Sequence, residues 1–112
     1  MSLMEEVYDH LNKNAFVETA EEFSTDWCWR SRSWYAVQKN KKSDFSIPVA
    51  INCLNKVKIK IALACIKRKK FGGIVESDIA VLGEVRDRLE RYLLEEHRIA
   101  EVAEDEAPPA KC

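Results

Sequence analysis

The chain of 112 residues is long enough for one domain and too short for two, and its 46% hydrophobic content supplies a core without outside help. A formal net charge of -1 excludes an overall basic character as a sign of a polyanionic partner. The charges are unevenly spread, because twelve of the eighteen Lys and Arg but one of the nineteen Asp and Glu lie between Trp29 and Lys70. This asymmetry indicates either a basic working surface flanked by acidic helices or ordinary solvated helix faces.

The first predicted helix runs from about Leu3 to Lys13, where apolar residues recur at every fourth position and acids occupy the first turn. A second, short helix begins after Thr19, because Thr19 and Glu22 have the spacing of a capping box. A third helix is predicted to follow the cap provided by the stretch Ser31–Ser33. Two short helices joined by a tight turn are therefore predicted within residues 19–40.

Residues 39–44 contain no apolar side chain and form a predicted basic loop. Ser46 caps the next helix, whose Pro48 lies in the first turn, where its missing N–H has no helical partner to lose. Residues 56–65 fit two structures, because their apolar residues match a helix face and also alternate with lysines as in a strand. Helix is preferred, since no other segment shows the alternation of a partner strand.

Gly72 and Gly73 end that pattern, and a long amphipathic helix is predicted from Glu76 to about Val102. Residues 103–112 combine two prolines with three acids and are predicted to be disordered. The expected fold is all-α, with residues 1–102 forming a single helical domain. The apolar face of the final helix leaves two alternatives open, self-association in a homodimer and packing against the protein's own N-terminal helices.

The four cysteines form no C-x-x-C pair, and the two histidines lie in the first and last predicted helices, so neither a metal site nor a cofactor is predicted. No apolar run approaches the length of a membrane span and no leader is visible, which predicts a cytoplasmic protein with free thiols. A nucleophile with a neighbouring base and a glycine-rich phosphate loop are both missing from the sequence. An enzyme is therefore not expected.

Residues 19–40 match the plan of a helix-turn-helix, in which a supporting helix positions a second helix in the DNA major groove. Trp34 and Val37 are predicted to face the core. Arg32 is the first candidate for a base contact, because a guanidinium can bond guanine O6 and N7 together. The residues predicted to bind DNA are Arg30, Ser31, Arg32, Ser33, Tyr35, Ala36, Lys39, Lys41 and Lys42. Those assigned to phosphates are Arg30, Ser31, Lys41 and Lys42.

The stretch Glu22–Tyr35, E-F-S-T-D-W-C-W-R-S-R-S-W-Y, and the serine-led helix after it resemble a family of small bacterial proteins of uncharacterised function. The family pattern is approximately E-F-S-x-x-W-L-G-R-S-x-S-Y-Y, and its arrangement is similar to lambda-repressor-like DNA-binding domains. The resemblance covers about residues 4–57 and implies a helix-turn-helix core there. Cys28–Trp29 replaces the Leu-Gly of the pattern, where a glycine would end the supporting helix in a left-handed conformation that tryptophan adopts only at a cost.

These features predict a small DNA-binding protein, a transcriptional regulator that acts on double-stranded DNA. The alternative is a helical protein-interaction module, adaptor- or antitoxin-like, that keeps the fold without binding DNA and uses exposed tryptophans or the acidic final helix. Salt dependence separates the two, because each phosphate contact releases counterions.

Overall fold

The structure, a computed structural model, describes residues 2–71 and 76–96, and every regular element within them is helical. The elements of the first half are α1 (Leu3–Lys13), α2 (Ala20–Glu22), the π-helical segment that continues it (Phe23–Trp27) and α3 (Trp34–Asn40). The elements of the second half are α4 (Ile47–Phe71), α5 (Glu76–Arg91) and a second π-helical segment (Tyr92–Glu96). The predicted all-α class is confirmed.

The chain divides into two units, Met1–Cys53 and Leu54–Cys112, called here the N-terminal and C-terminal units. The boundary lies within α4. This helix includes residues 56–65, for which the sequence fits both a helix and a strand, so the preference for helix is confirmed. The predicted end of the last helix near Val102 and the predicted disorder of residues 103–112 lie outside the described residues. None of the described helices combines the length and the apolar character needed to cross a membrane.

The N-terminus of α1 is capped from two directions. Ser2 and Glu5 form a capping box, in which the Ser2 hydroxyl accepts the Glu5 N–H at 3.2 Å and the Glu5 carboxylate accepts the Ser2 N–H at 3.1 Å. Asp44 accepts the N–H groups of Leu3 and Met4 at 3.0 and 2.9 Å. Because the first N–H groups of a helix have no partner within it, a carboxylate distant in sequence completes the cap.

Two caps predicted from the sequence are confirmed. The Thr19 hydroxyl accepts the Glu22 N–H at 3.1 Å, and the Ser46 hydroxyl accepts the Val49 N–H at 3.4 Å. The reciprocal half of the first capping box differs, since the Glu22 carboxylate accepts the N–H of Glu18 at 2.8 Å, one residue before the cap. Both helices therefore begin where the local sequence pattern places them.

Aromatic rings fix the position of α3 in the N-terminal unit. Tyr8 of α1, Phe23 of the first π-helical segment and Tyr35 of α3 form a cluster with ring centroids 4.8 to 5.6 Å apart. Trp34 of α3 stacks on Phe45 at 6.3 Å. Since each such pair contributes about 0.5–1.5 kcal/mol beyond the area it buries, these contacts orient α3 against the helices before it and against Phe45 in the connection to α4.

Ion pairs show that α4 and α5 run antiparallel in the C-terminal unit. Lys58 pairs with Glu90 at 3.8 Å, and Arg68 pairs with Glu76 at 2.8 Å, so positions advance along one helix as they recede along the other. The apolar residues of the final helix, for which self-association and internal packing were alternatives, are buried within the single chain: Ile79, Leu82, Leu89 and Leu93. The apolar side chains of that face therefore pack within the chain.

Candidate nucleic-acid interface

All but one of the residues predicted to bind DNA lie on the protein surface. The exposed members are Arg30, Ser31, Arg32, Ser33, Ala36, Lys39, Lys41 and Lys42. The chain contains no Asp or Glu between Cys28 and Ser43, so no acid within this segment offsets its five cations. Such a surface attracts anions from a distance and is typical of proteins that hold a phosphate backbone.

Tyr35 is the exception, and the expectation that its side chain faces outward is wrong. Only 6% of its surface is exposed, and its ring lies 4.8 Å from that of Tyr8 and 5.6 Å from that of Phe23. Burial, with a smaller contribution from the negative charge of Glu5, raises the pKa of Tyr35 to about 12. The phenol therefore belongs to the core.

Val37 departs from its prediction in the opposite direction, since 40% of its surface is exposed instead of facing the core. The reason lies in the start of α3, where the neighbouring Trp34 and Tyr35 are both buried. Two adjacent buried residues turn the core-facing side of the helix toward position 35 and away from position 37, because successive residues are 100° apart.

The corrected phase of α3 identifies a residue that is absent from the predicted set. The side opposite the core is centred on Ala36 and Asn40, which are four residues apart and both exposed, with Val37 and Lys39 at its borders. An asparagine side chain can bond adenine N6 and N7 together. The four-residue spacing between Ala36 and Asn40 is the sequence signal that could have added Asn40 to the predicted set.

The turn between the first π-helical segment and α3 depends on a left-handed residue. Trp29 has φ 56°, the conformation that a glycine would take without cost at this position, and 52% of its surface is exposed. The Cys28 N–H donates to the Phe23 carbonyl at 3.1 Å and the Arg30 N–H donates to the Ser24 carbonyl at 2.8 Å. These bonds hold the turn closed around Trp29 at a backbone cost of about 1–2 kcal/mol.

We expect Trp29→Gly to be more stable than Trp29→Ala by about 1 kcal/mol in urea denaturation, because both variants lose the indole and only glycine reaches positive φ without a steric cost. As a control, Ala36→Gly places glycine in right-handed helix and should lower stability by about 1 kcal/mol. Equal stabilities of the two Trp29 variants would show that the left-handed backbone carries no cost.

Ser24 joins the two helical segments of this surface from inside. It is fully buried, and its hydroxyl donates to the Ala20 carbonyl at 2.9 Å and accepts the Tyr35 N–H at 3.0 Å. Tyr35 is the second residue of α3, so this bond satisfies an N–H that the helix cannot pair by itself. Ser33, the last residue of the predicted cap stretch, makes no side-chain capping bond. The cap of α3 therefore comes from the preceding helical segment.

Two buried thiols belong to the N-terminal unit. Cys28 and Cys53 are free and fully buried, and burial together with a hydrogen bond to Cys53 raises the pKa of the Cys28 thiol far above its usual range. The Asn52 amide donates to the Cys28 carbonyl at 3.2 Å. Thiols in this environment are poor nucleophiles. Cys65 is disulfide-bonded, so the expectation of free thiols is wrong at that position.

Comparison of the chain with known protein families is consistent with the predicted resemblance to a small uncharacterised family. No curated protein matches the chain, and no solved structure matches it. A family match covers residues 4–104, which is most of the chain and extends well beyond the stretch 4–57 that carries the motif. The chain therefore belongs to DUF6626, a family of unknown function.

Proposed function

We propose that the protein is a small DNA-binding regulator that contacts double-stranded DNA with residues 30–42, arranged as a lambda-repressor-like helix-turn-helix. The observation that carries the proposal is an exposed segment, residues 30–42, that has five cations and no acid of its own and is built around one outward side of α3. A basic surface beside an exposed helix side is what a phosphate backbone and a groove require together.

In this proposal the outward side of α3 reads the bases. The B-DNA major groove is about 12 Å wide and admits one α-helix. Asn40 is the candidate for an adenine contact, and Ala36 and Val37 offer methyl groups to thymine. Arg32 stands two residues before α3 and is the candidate for guanine.

The remaining cations hold the backbone, and the chain fixes the loop that carries two of them. The Lys42 N–H donates to the Lys39 carbonyl at 3.1 Å, and the Ser43 N–H donates to the Gln38 carbonyl at 2.9 Å, which closes the end of α3 with Lys42 at φ 57°. A loop held in one conformation before binding loses less entropy on the complex. Arg30, Lys41 and Lys42 are therefore assigned to phosphates.

The test is fluorescence-anisotropy binding to random-sequence duplex DNA at low and moderate salt. Wild type is compared with a variant in which Arg30, Arg32, Lys41 and Lys42 are all alanine. We expect the logarithm of the association constant to fall linearly with the logarithm of salt concentration, and the variant to lose about 3 from the slope, because each lost phosphate contact removes about 0.9. Affinity at low salt should fall by about a hundredfold or more.

A matched control removes four cations from α4, with Lys60, Lys67, Lys69 and Lys70 all changed to alanine. Its net charge equals that of the first variant, so a general effect of charge would weaken both equally. The proposal requires the first variant to lose far more affinity than the control. Equal losses, or absence of binding by wild type at either salt concentration, would reject the helix-turn-helix as a DNA-binding surface.

A further inference from the structure

Helix α4 carries a row of exposed aliphatic side chains. Ile59, Leu63 and Ile66 have 51%, 48% and 53% of their surfaces exposed. They are four and three residues apart, so they lie on one face of the helix and form a continuous stripe. Single exposed aliphatic residues are ordinary on protein surfaces, whereas a contiguous apolar patch marks a surface used for binding.

The stripe is separate from the core of the C-terminal unit. The buried residues of α4 in this unit occupy the other side of the helix: Leu54, Val57, Ile61 and Ala64. Lys58 and Arg68, which pair with acids of α5, belong to that side as well. Helix α4 therefore has two apolar sides, one buried and one exposed.

The charges beside the stripe are of one sign. Helix α4 contains seven Lys and Arg and no Asp or Glu. At 100° per residue, Lys56, Lys60 and Lys67 follow one border of the stripe, Asn55, Ala62 and Lys69 follow the other, and Lys70 lies in line with the stripe at its C-terminal end. The stripe thus has more positive charge along one border than along the other.

The aliphatic stripe and the cations beside it together indicate which kind of partner could bind there. A second copy of α4 would bring seven more cations to the same place and would be repelled. DNA would attract the lysines but offers little apolar surface to cover three aliphatic side chains. A lipid surface is better matched by helices with aromatic residues at the interface, whereas the large exposed apolar side chains described on α4 are aliphatic.

We propose that Ile59, Leu63 and Ile66 form the docking site for an amphipathic helix of a protein partner, with Asp or Glu along the side of that helix that meets Lys60 and Lys67. Aliphatic residues of the partner, spaced three and four apart, cover the stripe and supply the affinity. The lysines fix the direction of the helix and discriminate against basic partners.

The probe is a labelled three-heptad helical peptide with leucine at the first and fourth positions of each heptad and glutamate at the flanking positions. Two control peptides carry lysine in place of glutamate, or the same composition with the leucines scattered. We expect the full chain to bind the acidic peptide and to bind both controls at least about tenfold more weakly. The double variant Leu63→Ser, Ile66→Ser should weaken the acidic peptide by about tenfold or more, with an unchanged circular dichroism spectrum.

A charge reversal gives a result that loss of folding cannot imitate. The double variant Lys60→Glu, Lys67→Glu should exchange preference, binding the lysine peptide more tightly than the glutamate peptide. The variant lacking Arg30, Arg32, Lys41 and Lys42 should bind the acidic peptide as wild type does. The outcome for this site is therefore independent of the outcome for DNA.

Four results would overturn the proposal. They are failure of the acidic peptide to bind, a dimer in sedimentation that Leu63→Ser dissociates, tighter peptide binding after removal of residues 97–112, and binding to phosphatidylglycerol vesicles that depends on the same aliphatic residues. The dimer result would assign the stripe to another copy of the chain, and tighter binding after removal of residues 97–112 would assign it to the chain's own C-terminal segment. Vesicle binding would assign it to a lipid surface.

Discussion

Replacing Asp44 with alanine is expected to lower the free energy of unfolding by about 2 kcal/mol. The carboxylate accepts the N–H groups of Leu3, Met4 and Phe45 at 3.0, 2.9 and 2.8 Å. The first two belong to the opening turn of α1, where a negative charge also interacts favourably with the helix dipole. Alanine removes both the acceptors and the charge, and Ser2 continues to cap the next N–H of the helix.

Urea and thermal denaturation of three variants measure the effect. Asp44→Asn keeps the shape and one oxygen acceptor without the charge, so its loss should be intermediate between wild type and Asp44→Ala. Asp26→Ala removes an exposed acid outside this contact and should change stability by less than about 0.5 kcal/mol. If Asp44→Ala behaves like Asp26→Ala, the carboxylate does not stabilise α1.

Replacing Ser24 with alanine is expected to cost about 1–3 kcal/mol of stability. The variant leaves the Tyr35 N–H without its acceptor in a site that has no exposed surface at Ser24, and it removes the donor to the Ala20 carbonyl. An unpaired buried N–H destabilises the folded state by its full desolvation energy, whereas removing a hydroxyl on the surface leaves no buried group unpaired.

Ser33→Ala is the matched control for this prediction. Ser33 is exposed and makes no capping bond, so its loss should change stability by less than about 0.5 kcal/mol. The sequence pattern alone predicts the reverse order, with the cap of α3 within Ser31–Ser33. A larger loss for Ser33→Ala than for Ser24→Ala would therefore restore the interpretation from sequence and contradict the hydrogen bonds of the structure.

The elements that could be predicted from sequence are those whose signals are local. Helix α1 has the predicted bounds Leu3–Lys13, and Thr19 and Ser46 cap the helices that follow them. In each case the cap and the first turn are separated by a few residues, so the pattern contains both partners. The caps supplied by Ser24 and Asp44 join segments that are distant in sequence, and no local pattern contains them.

The charges of the candidate site could be predicted from the sequence, but the side of α3 that faces outward could not. Helix α3 has seven residues, which is about two turns, so periodicity does not decide which side is buried. The choice depends on the rings of Tyr8 and Phe23, which receive Tyr35 from other parts of the chain. The same limit explains why the sequence predicts Val37 to face the core and why Asn40 is missing from the predicted DNA-binding set.

The ambiguity between helix and strand in residues 56–65 also has a structural cause. Ile59 and Leu63 alternate with lysines and alanine as strand residues do, yet they lie on the exposed stripe of a helix, while Val57 and Ile61 lie on its buried side. A helix with two apolar sides has no single amphipathic period. The pattern was ambiguous because α4 has more apolar surface than one core requires.

The bonds from Asp44 make two amide hydrogens at the start of α1 sensitive to a distant loop. Amide hydrogens exchange with solvent when local opening breaks their bonds. The Leu3 and Met4 amides stay closed only while Asp44, which directly follows the loop after α3, holds its place. Hydrogen exchange at these two amides therefore follows opening of the loop that carries Lys41 and Lys42, and under the proposed function, immobilising those lysines on DNA would slow exchange at the start of α1.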